Sequence, residues 1–250
     1  MNALLEVESL VRRYGSLTAV ADVTLGFERG SLCSVIGPNG AGKTTFFNLI
    51  SGLVAPTSGR IRFDGRDITT LAAHRRVRAG IARTFQITEI FPELTLRQTL
   101  RCAVEAALGL GLRLRLAAAD ERRVEERVAR LIELIELPAA AAHRVGELSY
   151  GDQRATEIAL SLALQPQLLL LDEPTAGMGE QETQRIAGLI RRLHRSEHLT
   201  TVLIEHDMRI VFDLSDRIVV LAEGRVLADG APAQIAADEA VQAAYLGTEA

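Results

Sequence analysis

Residues 37–45 read Gly37-Pro-Asn-Gly-Ala-Gly-Lys-Thr-Thr45, and no other stretch constrains the fold of this chain as tightly. Gly37, Gly42, Lys43 and Thr44 have the spacing of a phosphate loop, with Pro38, Asn39, Gly40 and Ala41 between them and Thr45 following. In such a loop backbone N–H groups curl around phosphate oxygens, the lysine reaches the β- and γ-phosphates, and the hydroxyl after it ligates Mg²⁺. The motif works only between a strand and a helix. An apolar run at 32–36 enters it, and residues 44–51, closed by Gly52, read as a helix. Composition sharpens the point: among 28 basic residues, Lys43 is the sole lysine. An ammonium is a compact charge on a thin stem, whereas a guanidinium is a broad fork that a tight loop cannot wrap.

The chain has 250 residues, 48% hydrophobic and 24% charged, enough for one α/β domain or two lobes with a full core. A net charge of −4 without a long basic run excludes a general nucleic-acid footprint. Cys33 and Cys102 make no disulfide framework, which points to a reduced, cytoplasmic setting. The first residues lack the basic start and apolar core of a signal, and no stretch of about eighteen apolar residues could span a bilayer.

Val23, Leu25 and Phe27 alternate with polar or small neighbours, as in a half-buried strand, and 60–63 before Asp64-Gly65 reads as a hairpin arm. Residues 95–137 read as helical. Thr95 and Gln98 have capping-box spacing, and Val124, Val128, Leu131, Ile132 and Ile135 form an apolar stripe. Strand character returns at 168–171, 201–204 and 217–221. The expected organisation is a nucleotide-binding α/β lobe, 1–86 and 156–250, interrupted by a mainly helical subdomain, 87–155.

Leu168-Leu-Leu-Leu-Asp-Glu-Pro174 is a buried strand delivering two carboxylates at its C-terminal end, where α/β sheets bind ligands. Beside a phosphate loop, Asp172 suits the Mg²⁺ shell and Glu173 suits the orientation or deprotonation of an attacking water. His206 follows the apolar run ending at Ile204; it is a capping residue or a group that reaches a γ-phosphate. Gln86, after Ile81-Ala-Arg-Thr-Phe85, is by itself only a polar residue at a strand end. Leu148-Ser-Tyr-Gly-Asp-Gln153 opens a helix. Ser149 with Asp152 is an N-cap pattern, and a serine and glycine at a helix start also make an anion site.

Taken together, the phosphate loop at 37–45, Gln86, Leu148-Ser-x-Gly151, the acidic strand end at 168–173 and His206 resemble an ABC-transporter ATPase in order and spacing, over nearly the whole chain. The resemblance implies an α/β fold: a P-loop NTPase core with an N-terminal antiparallel β subdomain and a helical insert. It implies ATP and Mg²⁺ as cofactors and two subunits meeting head to tail, homodimer or sister pair. In that arrangement Ser149, Tyr150, Gly151, Asp152 and Gln153 form the signature facing the partner's ATP. Tyr14 matches the aromatic that stacks on adenine, Gln86 senses Mg²⁺ and the permease, and His206 holds the γ-phosphate and water beside Glu173.

A finer resemblance, to the ATPases of branched-chain amino-acid importers and their amide and urea relatives, rests on four further segments. These are Ala82-Arg-Thr-Phe-Gln86 with Phe91-Pro-Glu-Leu-Thr95, Tyr150, Ile204-Glu-His-Asp-Met208 and Ala244-Tyr-Leu-Gly247. It implies permease partners docking near Ile87, Ile90 and Phe91, a periplasmic solute-binding protein as an indirect partner, and a peripheral place on the cytoplasmic face of the inner membrane. Lipopolysaccharide-exporter ATPases share some of these features. Two positions depart from the family: Gly179 stands near the aspartate or asparagine that crosses the dimer interface, and Asp152 stands where the signature glutamine is usual. A soluble ABC ATPase of repair or translation would more often carry two modules or a basic surface. A GTPase is excluded by the absence of any second lysine for its guanine motif.

Overall fold

The computed structural model describes residues 3–84, 91–111 and 115–246. Gln86, Ile87 and Ile90 lie outside the described residues, as does Gly247. The chain opens with two long antiparallel strands, β1 (Ala3–Tyr14) and β2 (Leu17–Glu28), followed by β3 (Leu32–Ile36) and the glycine loop that enters α1 (Lys43–Ser51). Strands β4 (Ser58–Phe63) and β5 (Arg66–Asp67) are joined by Asp64 and Gly65 at φ 50° and 72°, the left-handed pair a two-residue hairpin turn demands. Next come α2 (Ala73–Ala79), β6 (Ile81–Arg83), α3 (Leu96–Ala107), α4 (Ala118–Leu134) and α5 (Tyr150–Leu162). The remainder alternates: β7 (Leu168–Asp172), α6 (Glu180–Glu197), β8 (Thr200–Ile204), α7 (Met208–Leu214), β9 (Arg217–Ala222), β10 (Arg225–Gly230), α8 (Pro232–Ala236) and α9 (Glu239–Leu246).

Among the described residues the strands form two sheets. One is antiparallel, in the order β2-β1-β4-β5; the other is β10-β9-β3-β8-β7-β6, parallel except for β10. The expected α/β core with an antiparallel β subdomain and a helical insert is what forms. The parallel strands are covered on both faces, so they read as unbroken apolar runs rather than alternating ones. Leu168 and Leu170 pack with the antiparallel sheet and with Phe46 and Phe47 of α1, while Leu169 and Leu171 point into the helical side with Ile158, Ile186 and Leu203. All four leucines are buried, each contributing about 1.5–3 kcal/mol.

The helical side departs from one expectation. Residues 95–137 are not a continuous helical stretch: α3 ends at Ala107 and α4 starts at Ala118. Gly109 stands at φ 70°, and glycine costs about 1 kcal/mol in a helix interior, so the chain stops there. The capping box is real. Thr95 Oγ1 accepts from the Gln98 N–H at 3.2 Å, and Gln98 Oε1 accepts from the Thr95 N–H at 2.9 Å. Val124, Val128, Leu131 and Ile132 of the predicted stripe are buried in one cluster with Leu96, Leu100 and Val104.

The far end of α1 is fastened by a residue with no sequence signature. Buried Arg76 donates to the carbonyls of Leu49 (2.7 Å) and Ile50 (2.8 Å), the orphan acceptors of the helix C-terminus, and to those of Thr69 and Leu71. Burial pushes its pKa down to about 10. Because parallel register sets Val35 and Asp172 both opposite Ile204, the loops after β3, β7 and β8 emerge side by side. That edge is where the candidate site lies.

Candidate nucleotide site

The glycine loop leaves β3 under tight constraint. Gly37 has φ 149°, and a Cβ there would fall 2.1 Å from the Leu221 carbonyl oxygen; at Gly42, φ 99°, it would fall 2.3 Å from that of Ala19. Only glycine fits either place. The β9–β10 turn backs the loop, its Gly224 N–H donating to the Ala41 carbonyl at 3.1 Å and its carbonyl accepting from the Ala21 N–H at 2.8 Å. Gly42 is the N-cap of α1 and offers no side-chain cap, so the first-turn N–H groups remain available to an anion.

Lys43 is buried, its Nζ donating to the carbonyls of Gly37 (2.6 Å) and Pro38 (3.0 Å). Burial lowers its pKa from 10.5, while the charges of Glu173 and Asp172 work in the opposite direction. A cleft lined by Leu17, Ala19, Asn39 to Thr45, Glu173, His206 and Glu223 brings residues 39–45 of the loop together with Glu173 and His206, while Gly37 and Pro38 line an adjoining hollow with Asn39 and His206. Tyr14 does not line it. It is paired with Leu17 across the β1–β2 turn, at the rim, with the Arg12 guanidinium 4.4 Å from its ring centroid.

Asp172 closes β7 with no exposed surface. Its Oδ2 accepts from Arg83 Nη2 at 2.8 Å, while its Oδ1 is buried with no hydrogen-bond partner. Such an orphan carboxylate oxygen is costly unless something else satisfies it. Hard oxygen donors from a carboxylate and the Thr44 hydroxyl fit a divalent cation such as Mg²⁺. Among the described residues no group of three or more His, Cys, Asp and Glu forms a metal cluster, so most of its ligands would come from phosphate and water. Arg83 also donates to Asn48 Oδ1 at 2.6 Å, tying β6, α1 and β7 together at the acidic strand end.

Glu173 stands at φ 48°, a region costing a residue with a Cβ about 1–3 kcal/mol, and its N–H donates to the Ile204 carbonyl at 2.9 Å. Its Oε1 lies 2.9 Å from His206 Nε2, a carboxylate–imidazole pair at the mouth of the cleft. Buried Glu205 supports that pair. Its Oε2 accepts from the His206 N–H at 3.0 Å, and its Oε1 from the N–H (2.9 Å) and hydroxyl (2.6 Å) of Thr175. Sequence reasoning passed over Arg83 and Glu205; each is a charge predicted to be exposed by type yet set inside an apolar strand context, which is the signal that could have found them.

The signature residues lie outside this cleft, at the start of α5. Ser149 Oγ accepts from the Asp152 N–H at 3.2 Å, and Gln153 Nε2 donates to the Leu148 carbonyl at 3.0 Å. The Gly151 N–H points to Glu182 Oε1 at 3.4 Å, Asp152 pairs with Arg185 at 2.5 Å, and Tyr150 is exposed. Asp152 is thus a first-turn acid paired with Arg185 rather than a cap or a bare charge. Gly179 is the N-cap of α6, and a Cβ there would meet open space.

A family model described as "ABC transporter" matches residues 20–176, and one described as "Branched-chain amino acid ATP-binding cassette transporter" matches 225–250. The chain is 42% identical to the high-affinity branched-chain amino acid transport ATP-binding protein BraF of Pseudomonas aeruginosa, over 98% of each chain. It is 41% identical to the high-affinity branched-chain amino acid transport ATP-binding protein LivG of Escherichia coli, again over 98% of each. A crystal structure of a nucleotide-free ATP-binding cassette from an ABC transporter superposes with a TM-score of 0.84 at 26% identity, covering 97% of this chain and 98% of that one.

Proposed function

The chain belongs to the ABC transporter family of ATP-binding subunits, and from that premise we propose that it hydrolyses ATP to drive an importer of branched-chain or other hydrophobic amino acids. The observation that carries the hydrolytic reading is the 2.9 Å contact between Glu173 and His206 in the cleft that also holds Lys43. The substrate class is supported by the full-length relatives and by the match to the C-terminal segment.

In this reading residues 1–86 and 156–250 serve as the nucleotide-binding lobe, and 87–155 as the mainly helical subdomain ending in the signature. Tyr14 stacks on adenine at the rim. The N–H groups of residues 39–45 cradle the phosphates, and Lys43 turns from the Gly37 and Pro38 carbonyls to phosphate oxygens. Thr44, Asp172 and Gln86 would hold Mg²⁺, which neutralises charge on the phosphates when bound. Glu173 accepts the proton of the attacking water. His206 fixes that carboxylate and contacts the γ-phosphate. Ser149 to Gln153 meet the nucleotide of a second subunit, as their position outside the chain's own cleft supports.

Among the described residues no helix is long and apolar enough to cross a membrane. Work at the cytoplasmic face of the inner membrane therefore needs integral permease partners, with a periplasmic solute-binding protein acting through them, and exposed Phe91 suits the docking patch. Two assays test the reading. Glu173→Gln should lower kcat by at least about 100-fold while nucleotide affinity stays within about twofold; a normal rate removes Glu173 from the chemistry. Cells lacking the chain should lose uptake of labelled leucine, isoleucine and valine. Loss of urea or amide uptake instead, with leucine uptake intact, would assign it to the related importers.

A further inference from the structure

Arg154 belongs to none of the motifs described so far. It lies in the second turn of α5 and is 4% exposed. Its guanidinium engages all three nitrogens: Nε donates to the Pro174 carbonyl (3.1 Å), Nη2 to those of Asp172 (3.2 Å) and Glu173 (2.7 Å), and Nη1 to Glu157 Oε2 (2.6 Å). A buried guanidinium needs a counter-charge, and Glu157 supplies it. The three carbonyl bonds go beyond neutralisation. They converge on the segment that carries the carboxylates.

Glu173 holds a left-handed backbone that a residue with a Cβ keeps only when its surroundings hold it. Its N–H is tied to β8 through Ile204, and its carbonyl is tied to α5 through Arg154. We infer that Arg154 is a positioning residue that links the signature helix to the catalytic carboxylate and holds Glu173 in the geometry its reaction needs. The inference rests on the roles proposed for Glu173 and for the signature segment. With the N-terminus of α5 against the partner's nucleotide, a shift of that helix on closure reaches Glu173 of the same subunit through one planar fork. The two ATP sites are thereby connected in a chain whose Gly179 has no side chain to span the interface.

Lysine preserves the charge beside Glu157 but has one nitrogen, which cannot span three carbonyls and a carboxylate. The purified wild-type chain is compared with Arg154→Lys, with the neutral double variant Arg154→Gln/Glu157→Gln, and with Glu173→Gln. Melting temperature, affinity for a fluorescent ATP analogue, kcat and KM are measured for each. Both Arg154 variants should stay folded, bind the analogue within about twofold of wild type and lose at least about tenfold in kcat at little-changed KM. The inference is overturned if a folded variant keeps kcat within about twofold, or if affinity falls in step with kcat. Failure of both variants to fold also overturns it, in favour of a purely structural ion pair. If Glu173→Gln keeps turnover, the reading of Glu173 itself fails. An inactive Glu173→Gln beside a fully active Arg154→Lys removes only the role of Arg154.

Discussion

The phosphate loop and the signature segment both end in a helix N-terminus, yet they treat its free N–H groups in opposite ways. At α1 the N-cap is Gly42, with no side-chain cap and no acid in the first turn. At α5 the chain supplies its own acceptors: the Ser149 hydroxyl for the Asp152 N–H and the Glu182 carboxylate for the Gly151 N–H. Asp152 adds an acid in the first turn. The first terminus is left open to an anion by construction. The second is already satisfied, so a phosphate must displace resident oxygens to bind there. That difference supports the proposal that the isolated chain fills one site and that the other needs a nucleotide delivered on a second subunit.

The largest effect that could break the comparison belongs to the loop. A Cβ on Gly42 collides with backbone at 2.3 Å, and the residue would also be strained at φ 99°. Gly42→Ala should therefore cost about 100-fold in nucleotide affinity, read by equilibrium binding to the purified chain; unchanged binding would mean that the loop is not the anion site. Gly151→Ala makes the matched test at the other terminus. The atoms nearest its Cβ belong to the flexible Glu182 side chain, the closest at 3.3 Å. Nucleotide affinity should hold within about twofold while kcat falls about tenfold, less than the roughly 100-fold of a donor removed outright, because the N–H is displaced rather than lost. An equal loss of affinity would erase the distinction between the two sites. Ser149→Ala gives the smallest change. Loss of the cap should cost about 1 kcal/mol, or about 2–4 °C in melting temperature at this chain length. A calorimetric scan showing no shift would mean that the hydroxyl is not engaged in the resting chain.

The two regions also differ in how far they could be read from sequence. Local patterns survive into structure: the glycine loop between β3 and α1, the four leucines ending in Asp172, and the Thr95–Gln98 box all formed where expected. What could not be read is carried by contacts far apart in the chain. Arg83 reaches Asp172 across 89 residues, and Glu205 reaches Thr175 across 30. No periodicity encodes such pairings, because they exist only once the parallel strands are in register. The break between α3 and α4 was missed because the apolar content of the segment outweighed two glycines, Gly109 and Gly111. The Ser149 cap of the signature helix was legible, but the Glu182 contact was not, because Glu182 belongs to α6, which follows β7 and is unremarkable by itself.

The central claim is that the open loop binds ATP alone and that the signature serves ATP held by a second subunit. The most direct measurement is the solution mass of the Glu173→Gln chain by light scattering, with and without Mg-ATP. A single-chain mass without nucleotide and twice that mass with Mg-ATP is the expected result. A dimer that persists without nucleotide, or a chain that binds ATP and stays monomeric both alone and mixed with a sister ATPase subunit, would contradict it.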